Sequence, residues 1–536
     1  MTLLEEYRRA ASGRPTPYVD EAVTGGGADG DLGWRAPYAD LARVWGCPED
    51  LLGTAARVHG TRIQDGVAFT VRVDGHLVEQ PFPLDVVPRV LTGEDWTCIG
   101  EGVAQRTRAL EAFISDVYGG GPGHVSSAQA EGVVPDWLVR DSPGYREDAV
   151  GWAAPGATRV TVSGMDLLKD GDGPWRVLED NLRIPSGQGY AIANRAGLAA
   201  AEPGLLSGAP DLLDPTGAPA LLRAALEALA PRRCPRPEPS VVLLTDGPTN
   251  TAWFEHRLLA AAMDAPVVTP ADLAADGDGL MARTPFGRVP VDVVYRRLSE
   301  DEMVEPTADG TPVGDLLRRA VAAGRVAVAN APGNGVGDDK ATYAYVPALV
   351  RHYLGETPLL HDVPTWVLAD PEMYAEVRHR LGELVVKPVD GYGGVGVVFG
   401  PELDERGLAD LEAEVAAAPH RFVAQQPVSF TTHPTLVDEQ LRARHVDLRV
   451  FAISGPGVGA VASPAPLTRV ALREGSRIVN SSAGGGSKDT WVLTGAPTAA
   501  PVGTDGRGQP AREAVAGVRD VSVPEGAETP LPSPSG

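Results

Sequence analysis

Short apolar runs bounded by turn residues alternate along this chain with stretches of helical period. SVVLLTD (240–246) precedes a helical pattern through FEHRLLAAAM, which leads into APVVTP (265–270). VDVVYRRL (291–298), RVAVANA (325–331), ELVVKPV (383–389), VGVVFG (395–400), RFVAQQPV (421–428) and HVDLRVFAI (445–453) each predict a further strand. From Glu101 to Tyr118 the period is that of a helix, with Val103, Leu110, Phe113, Ile114 and Val117 on one face before the Gly119-Gly120-Gly121 stop. A second helix is expected from Ala218 to Leu229, between Pro-rich flanks, and a third over KATYAYVPALVRHYL, starting at Lys340. The alternation predicts an α/β or α+β fold in several domains.

Composition narrows the classes of partner. The 536 residues allow about three or four domain-sized units, and 43% apolar with 22% charged residues is the balance of a chain that buries cores. A net charge of −24 argues against nucleic acid and against an anionic membrane surface, leaving small molecules and proteins. Cys47, Cys98 and Cys234 lie far apart with no CxxC pair, so neither a disulfide framework nor a structural zinc site is expected. With no apolar stretch of membrane-spanning length and acids in the first residues, a cytoplasmic protein is expected. Gly495 to Gly536 holds seven Pro, seven Gly and no aromatic residue, which predicts a disordered tail.

The segment from Met165 to Arg183 reads as a β-hairpin about the turn Asp170-Gly171-Asp172-Gly173. Alternation puts Glu179 and Asn181 on one face of its second strand, with Asp166 able to lie opposite on the first. Two carboxylates and an amide form an oxygen-only set suited to Mg²⁺, which binds through one or two carboxylates plus substrate phosphates. Arg183 continues that face and can hold a phosphate oxygen; a solvated acidic hairpin is the lesser alternative for these residues. Lys387 ends an apolar strand before Asp390-Gly391-Tyr392-Gly393-Gly394-Val395-Gly396, and a second strand follows. Backbone N–H groups of such a loop can wrap an anion while the lysine supplies a point charge. It is neither a Walker A motif nor a dinucleotide fingerprint, because the loop returns to a strand, and an ordinary Gly hairpin fits it as well.

Gln425-Gln426-Pro427-Val428 closes another apolar strand as a hinge whose backbone can bind adenine. Asp447 and Arg449 point the same way from HVDLRVFAI, which is costly in a core unless both have partners. Arg469 and a second Gly-rich loop with Lys488 follow, and Lys340 opens the helix after the acidic pair Asp338-Asp339. Phe254-Glu255-His256-Arg257 and Val294-Tyr295-Arg296-Arg297 can read a substrate carboxylate, but surface charge is the commoner explanation.

In order, the Lys387 unit, the Gln425 strand and the Asp447/Arg449 strand resemble the nucleotide half of an ATP-grasp enzyme, in which an E-x-N metal strand comes last. Here Glu179-Asp180-Asn181 comes first, as a circular permutation produces. EGVAQRTRALEAF, VLEDNLRIPSG, LLTDGPTNTAWFEHRLLA, NAPGNGVGDDKATYAYVP, VVKPVDGYGGVG, RHVDLRVF, LTRVAL and NSSAGGGSKDTWVL together resemble the circularly permuted type 2 ATP-grasp family, from about Asp95 to Leu493. That family is distantly similar to the synthetase domain of glutathionylspermidine synthase. The resemblance implies a permuted ATP-grasp fold with an additional α/β subdomain. The expected units are an N-terminal region (1–90), the permuted metal part (91–205), a central substrate domain (206–375), a nucleotide part (376–494) and the tail (495–536).

It also implies ATP and Mg²⁺ as cofactors. Asp166, Glu179 and Asn181 would bind the metal; Lys387, Gly393 and Gly394 the phosphates; Gln425 the adenine hinge; and Lys340, Asp447 and Lys488 further parts of the nucleotide. Arg183, Arg449 and Arg469 would neutralise the transferring phosphoryl group. Three positions depart from the family pattern: Pro464-Ala465-Pro466 replaces Pro-Gly-Gly, Gln426 replaces Glu, and Ala483 stands in the Ser-Ser-Gln-Gly-Gly-Gly loop. The expected activity is ATP-dependent joining of a carboxylate to an amine through an acyl phosphate, on small-molecule or peptide substrates, with protein partners left open. A non-catalytic nucleotide-binding or assembly protein and a phosphotransferase are the alternatives, the first favoured by the altered 464–466 loop.

Overall fold

The 16-residue strand Gln440–Gly455 organises the molecule because the other strands of its sheet assemble outward from it. In this computed structural model the described residues are 3–12, 19–23, 33–35, 38–39, 41, 48–73, 76–154, 156–207, 211–234, 236–390, 396–477, 479 and 484–494. Gly393, Gly394 and the tail from Gly495 to Gly536 lie outside them.

On one side Gln440–Gly455 pairs antiparallel with Val162–Lys169, which forms a hairpin with Trp175–Asn181, as the turn chemistry predicts. On the other side lie Leu467–Val470, Gly486–Val492 and then Leu84–Leu91. The permuted segment and the C-terminal strands therefore share one sheet of nine strands among the described residues. The helix Gly93–Gly119 packs on it, capped by the Thr92 hydroxyl, which accepts from Asp95 N at 3.0 Å. Its buried stripe contains Val103, Leu110, Phe113, Ile114 and Val117, the five positions read from the period.

Val241–Leu244, Val293–Arg296, Ala327–Ala329 and Val267–Val268 form a four-stranded parallel sheet. Its strands are apolar except at Arg296, which ends Val293–Arg296 and is itself buried, in keeping with burial on both faces. A smaller antiparallel sheet runs in the order Thr365–Val367, Phe422–Gln425, Val385–Pro388, Val398–Phe399. Val386, Phe422 and Ala424 join Leu411 and Val415 of the helix Glu405–Ala417 in one core cluster. Alternation then turns Val385, Lys387 and Gln425 to the opposite face. The strand Thr365–Val367 belongs to this sheet although it precedes residue 376.

The expected helix over 340–354 is broken. Lys340–Tyr343 and Val346–Leu349 are separate short turns, followed by a π-helical stretch, Val350–Leu354. Pro347 lacks the N–H that a continuous α-helix would use there.

Candidate functional site: a cleft between two sheets

Strand register builds the floor of the site. Asp166 lies opposite Glu179 on one side and Arg449 on the other, and Asp447 lies opposite Arg469. Arg449 donates Nε to Asp166 Oδ1 at 2.6 Å and Nη2 to Oδ2 at 2.8 Å, while Arg469 Nη2 reaches Oδ2 at 2.7 Å. Arg469 also grips both oxygens of Asp447. Asp447 and Arg449 thus find within the chain the partners that their burial demands.

Burial alone would raise the Asp166 carboxyl, but the two guanidinium groups override it and hold it well below the usual range. Glu179 is raised, first by burial and then by the Asp166 charge beside it. The Asp166 and Glu179 carboxyl groups lie side by side, within hydrogen-bond reach of each other, and both line the cleft. Asp166 is 1% exposed and engaged by arginines, whereas the Glu179 side chain keeps 30% of its surface, with Asn181 Nδ2 at 3.5 Å. Among the described residues, no group of three or more His, Cys, Asp and Glu side chains is arranged to hold a metal.

The small sheet supplies the opposite wall. Lys387 donates to the Gln425 side chain, whose Nε2 donates to Thr365 Oγ1 at 3.0 Å. Burial lowers the Lys387 ammonium to about 8; Glu179 pulls it back up and Lys340 pushes it further down. The cleft is lined by the charged side chains of Glu179, Lys340, Lys387, Asp166, Asp447 and Arg469. Leu178, Val385, Val397 and Phe399 also line it, with the hinge residues Gln425 to Val428. Apolar walls beside a strand-end backbone and cations beyond them are complementary to a flat heterocycle carrying phosphates.

Several predicted residues lie elsewhere. The hairpin strand ends at Asn181, so Arg183 leaves that face and donates Nε to Asp338 Oδ2 at 2.5 Å. Lys488 is fully buried, bound to Asp85 and to the carbonyls of Val87 and Pro434, and does not line the cleft. Gly393 and Gly394 fall outside the described residues. Glu255, His256, Arg296 and Arg297 are buried, which overturns the reading of surface charge. Glu255 accepts from Gly187 N at 2.9 and 2.8 Å, and Arg297 donates to Pro185 O at 2.8 Å and to Ser186 Oγ at 2.5 Å. Ser186 O in turn accepts from Arg449 Nη1 at 3.2 Å, so this cluster braces the floor of the cleft.

Phe399 and Arg477 were not singled out in the sequence. Phe399 lines the cleft with the Arg477 guanidinium 5.5 Å from its ring centre. The sequence signal for Phe399 is the aromatic position on the strand returning from the Gly loop.

Known proteins share this architecture. A solved glutathione-synthetase-like effector from Globodera pallida matches 83% of this chain and 97% of its own at a TM-score of 0.52, with 13% sequence identity, a likeness of fold. A Frankia alni protein provisionally named glutamate–cysteine ligase 2-3 is 47% identical over 91% of this chain and 54% of its own length. The chain thus spans about half the length of the Frankia relatives it matches. An uncharacterised Mycobacterium tuberculosis protein is 40% identical over 87% of this chain and 82% of its own. The hairpin of Val162–Lys169 and Trp175–Asn181 precedes the small sheet in sequence yet shares a cleft with it, which is the connectivity of a permuted ATP-grasp unit. Residues 88–471 match the family described as circularly permuted ATP-grasp type 2, and the chain belongs to that family.

Proposed function

We propose that this protein is an ATP-dependent carboxylate–amine ligase that activates its carboxylate as an acyl phosphate. The observation that carries the reading is the convergence of Lys387, Lys340, Glu179, Asp166, Arg469 and Asp447 on one cleft with apolar walls, with Arg449 gripping Asp166 from behind the lining. Adenine would lie between Leu178 and Val385 against the Gln425–Val428 hinge, with the phosphates toward Lys387 and Lys340. Phosphoryl transfer requires positioned cations more than a covalent nucleophile, and the strand-borne arginines are held by carboxylates rather than left to rotate.

Glu179 and Asn181 fit Mg²⁺, an oxygen-seeking cation that takes its remaining ligands from phosphate and water. When bound, the ion would neutralise charge on the β,γ-phosphates. Asp166 has a different part in this reading. Its carboxylate orients Arg449 and Arg469, so Glu179 carries the metal-binding charge. Asp447 fixes the other side of Arg469.

One observation favours nucleotide binding without turnover, the alternative reading: the pairing of Asp166 with two arginines leaves Glu179 as the metal carboxylate. Release of ADP separates the two. The chain is incubated with MgATP and mixtures of amino acids, peptides and polyamines. ADP formation that depends on a carboxylate and an amine together supports the ligase; nucleotide binding with no ADP from any mixture supports the alternative.

A further inference from the structure

A second cavity, of about 550 Å³, opens where the strands of the small sheet end, away from the Gln425 hinge. Its position follows from register. Val385 lies opposite Gln425, and Pro388 lies opposite Phe422. Each residue along the strand from Val385 moves about 3.3 Å away from the hinge. Val389 and Asp390 come next, with Val389 N bonded to Arg421 O at 2.9 Å, and all three line the cavity. A nucleotide with its base at the hinge and its phosphates at Lys387 points its terminal phosphate this way.

The two spaces have no lining residue in common, and a third links them. A narrow recess beside the nucleotide cleft has Glu179, Lys340, Lys387 and Gln425 in common with it, and has Asp339 in common with the second cavity. Asp339 is buried and anchored, accepting Ser142 Oγ at 2.6 Å and Ala341 N at 2.8 Å. Burial raises its carboxyl above the ordinary value.

The lining carries both signs of charge. Arg140 and Arg421 carry positive charge and Asp141, Asp339 and Asp390 carry carboxylates, Arg140 and Asp141 being paired with each other at 2.8 Å, and Trp137 adds an apolar surface. Arg421 and Asp390 face the same space with opposite charge and, among the described residues, form no ion pair with each other. A lining of one sign would suit a polyamine or a dicarboxylate. A mixed lining suits a molecule that carries an ammonium and a carboxylate at once, and the volume is that of a small-molecule site.

We infer that this cavity takes a zwitterionic substrate, a free amino acid or short peptide, beside the terminal phosphate of the nucleotide. The inference rests on the ligase reading and names the site and class of its second substrate.

The test is ligand-observed saturation-transfer NMR on the full chain. The probes are the twenty common amino acids, a set of dipeptides, spermidine and succinate, each with and without magnesium and a non-hydrolysable ATP analogue. Binding of at least one amino acid or dipeptide is expected, weakened about tenfold or more by Arg421→Glu and by the cavity-filling Ala369→Phe. Both variants should keep the wild-type melting shift on adding the analogue, which shows them folded. Binding of only spermidine or only succinate, no binding from the panel, or binding indifferent to both variants overturns the inference. If the analogue itself produces no melting shift, it is the ligase reading that fails, and the panel without nucleotide still decides the cavity.

Discussion

Arg449 holds Asp166 from the neighbouring strand with two near-parallel bonds of 2.6 and 2.8 Å, and the register of the sheet sets the two residues directly opposite each other. Such a fork-to-fork pair fixes the guanidinium plane as well as its charge. Asp166→Asn removes the charge between two arginines while keeping the volume. Breaking a buried pair by removing one partner costs about 3–5 kcal/mol, and equilibrium urea unfolding should give a loss near the lower figure because Arg469 retains Asp447. A change below about 0.5 kcal/mol would mean that the quartet contributes little to the fold.

Lys387 gives a pH dependence with a definite sign. Its folded value, about 8, lies below the ordinary lysine range, so the unfolded chain binds the proton more tightly. The stability contribution of this group therefore rises as pH goes from about 8 toward the ordinary value. Nucleotide affinity moves the other way, falling as the ammonium loses its charge. Calorimetric titration of an ATP analogue from pH 6.5 to 9 checks this, and Lys387→Arg should flatten the fall because a guanidinium stays charged.

Glu255 closes the N-terminus of the helix Gln188–Ala201 through Gly187 N and, at 3.4 Å, Gly189 N. Glu255→Ala should cost about 1–3 kcal/mol, the penalty of leaving buried donors unpaired. It should also lower turnover, because Ser186 and Arg449 lose their support. Chemical denaturation and a steady-state assay read the two effects separately.

Leu182 is a control for packing. It is fully buried between the hairpin and the Gly335–Asp338 turn, close enough to Gly337 that a Cβ there would meet its side chain at 2.9 Å. Leu182→Ala should lose about 2–5 kcal/mol with nucleotide affinity unchanged under conditions where the variant stays folded.

What the sequence made legible was local. Period-2 alternation placed Glu179 and Asn181 together, and the D-G-D-G turn placed Asp166 across from them. The partners of buried charges were not legible, because they are set by pairings far apart in the chain. Arg449 and Asp166 are separated by 283 positions, and Lys488 and Asp85 by 403. The Gly-rich sequence before Lys488 suggested an anion loop, whereas the adjacent strand Leu84–Leu91 brings Asp85 to it instead. Glu255 and Arg297 read as surface charge for the same reason, since their partners Gly187 and Ser186 come from a distant turn. The break at Pro347 has a local cause, because a proline has no N–H to give an unbroken helix.

In the proposed function the cleft binds MgATP with Glu179 as the charged metal ligand. Its most direct test is the melting midpoint of wild type and Glu179→Gln with ATP, with and without Mg²⁺. A ligand that binds only the native state stabilises it by about 2.7 kcal/mol at a hundred times its dissociation constant. The wild-type midpoint should shift clearly upward with MgATP, and Glu179→Gln should lose the magnesium-dependent part of that shift while keeping the shift with ATP alone. An unchanged wild-type midpoint at saturating MgATP, or a magnesium-dependent shift that survives in Glu179→Gln, would contradict it.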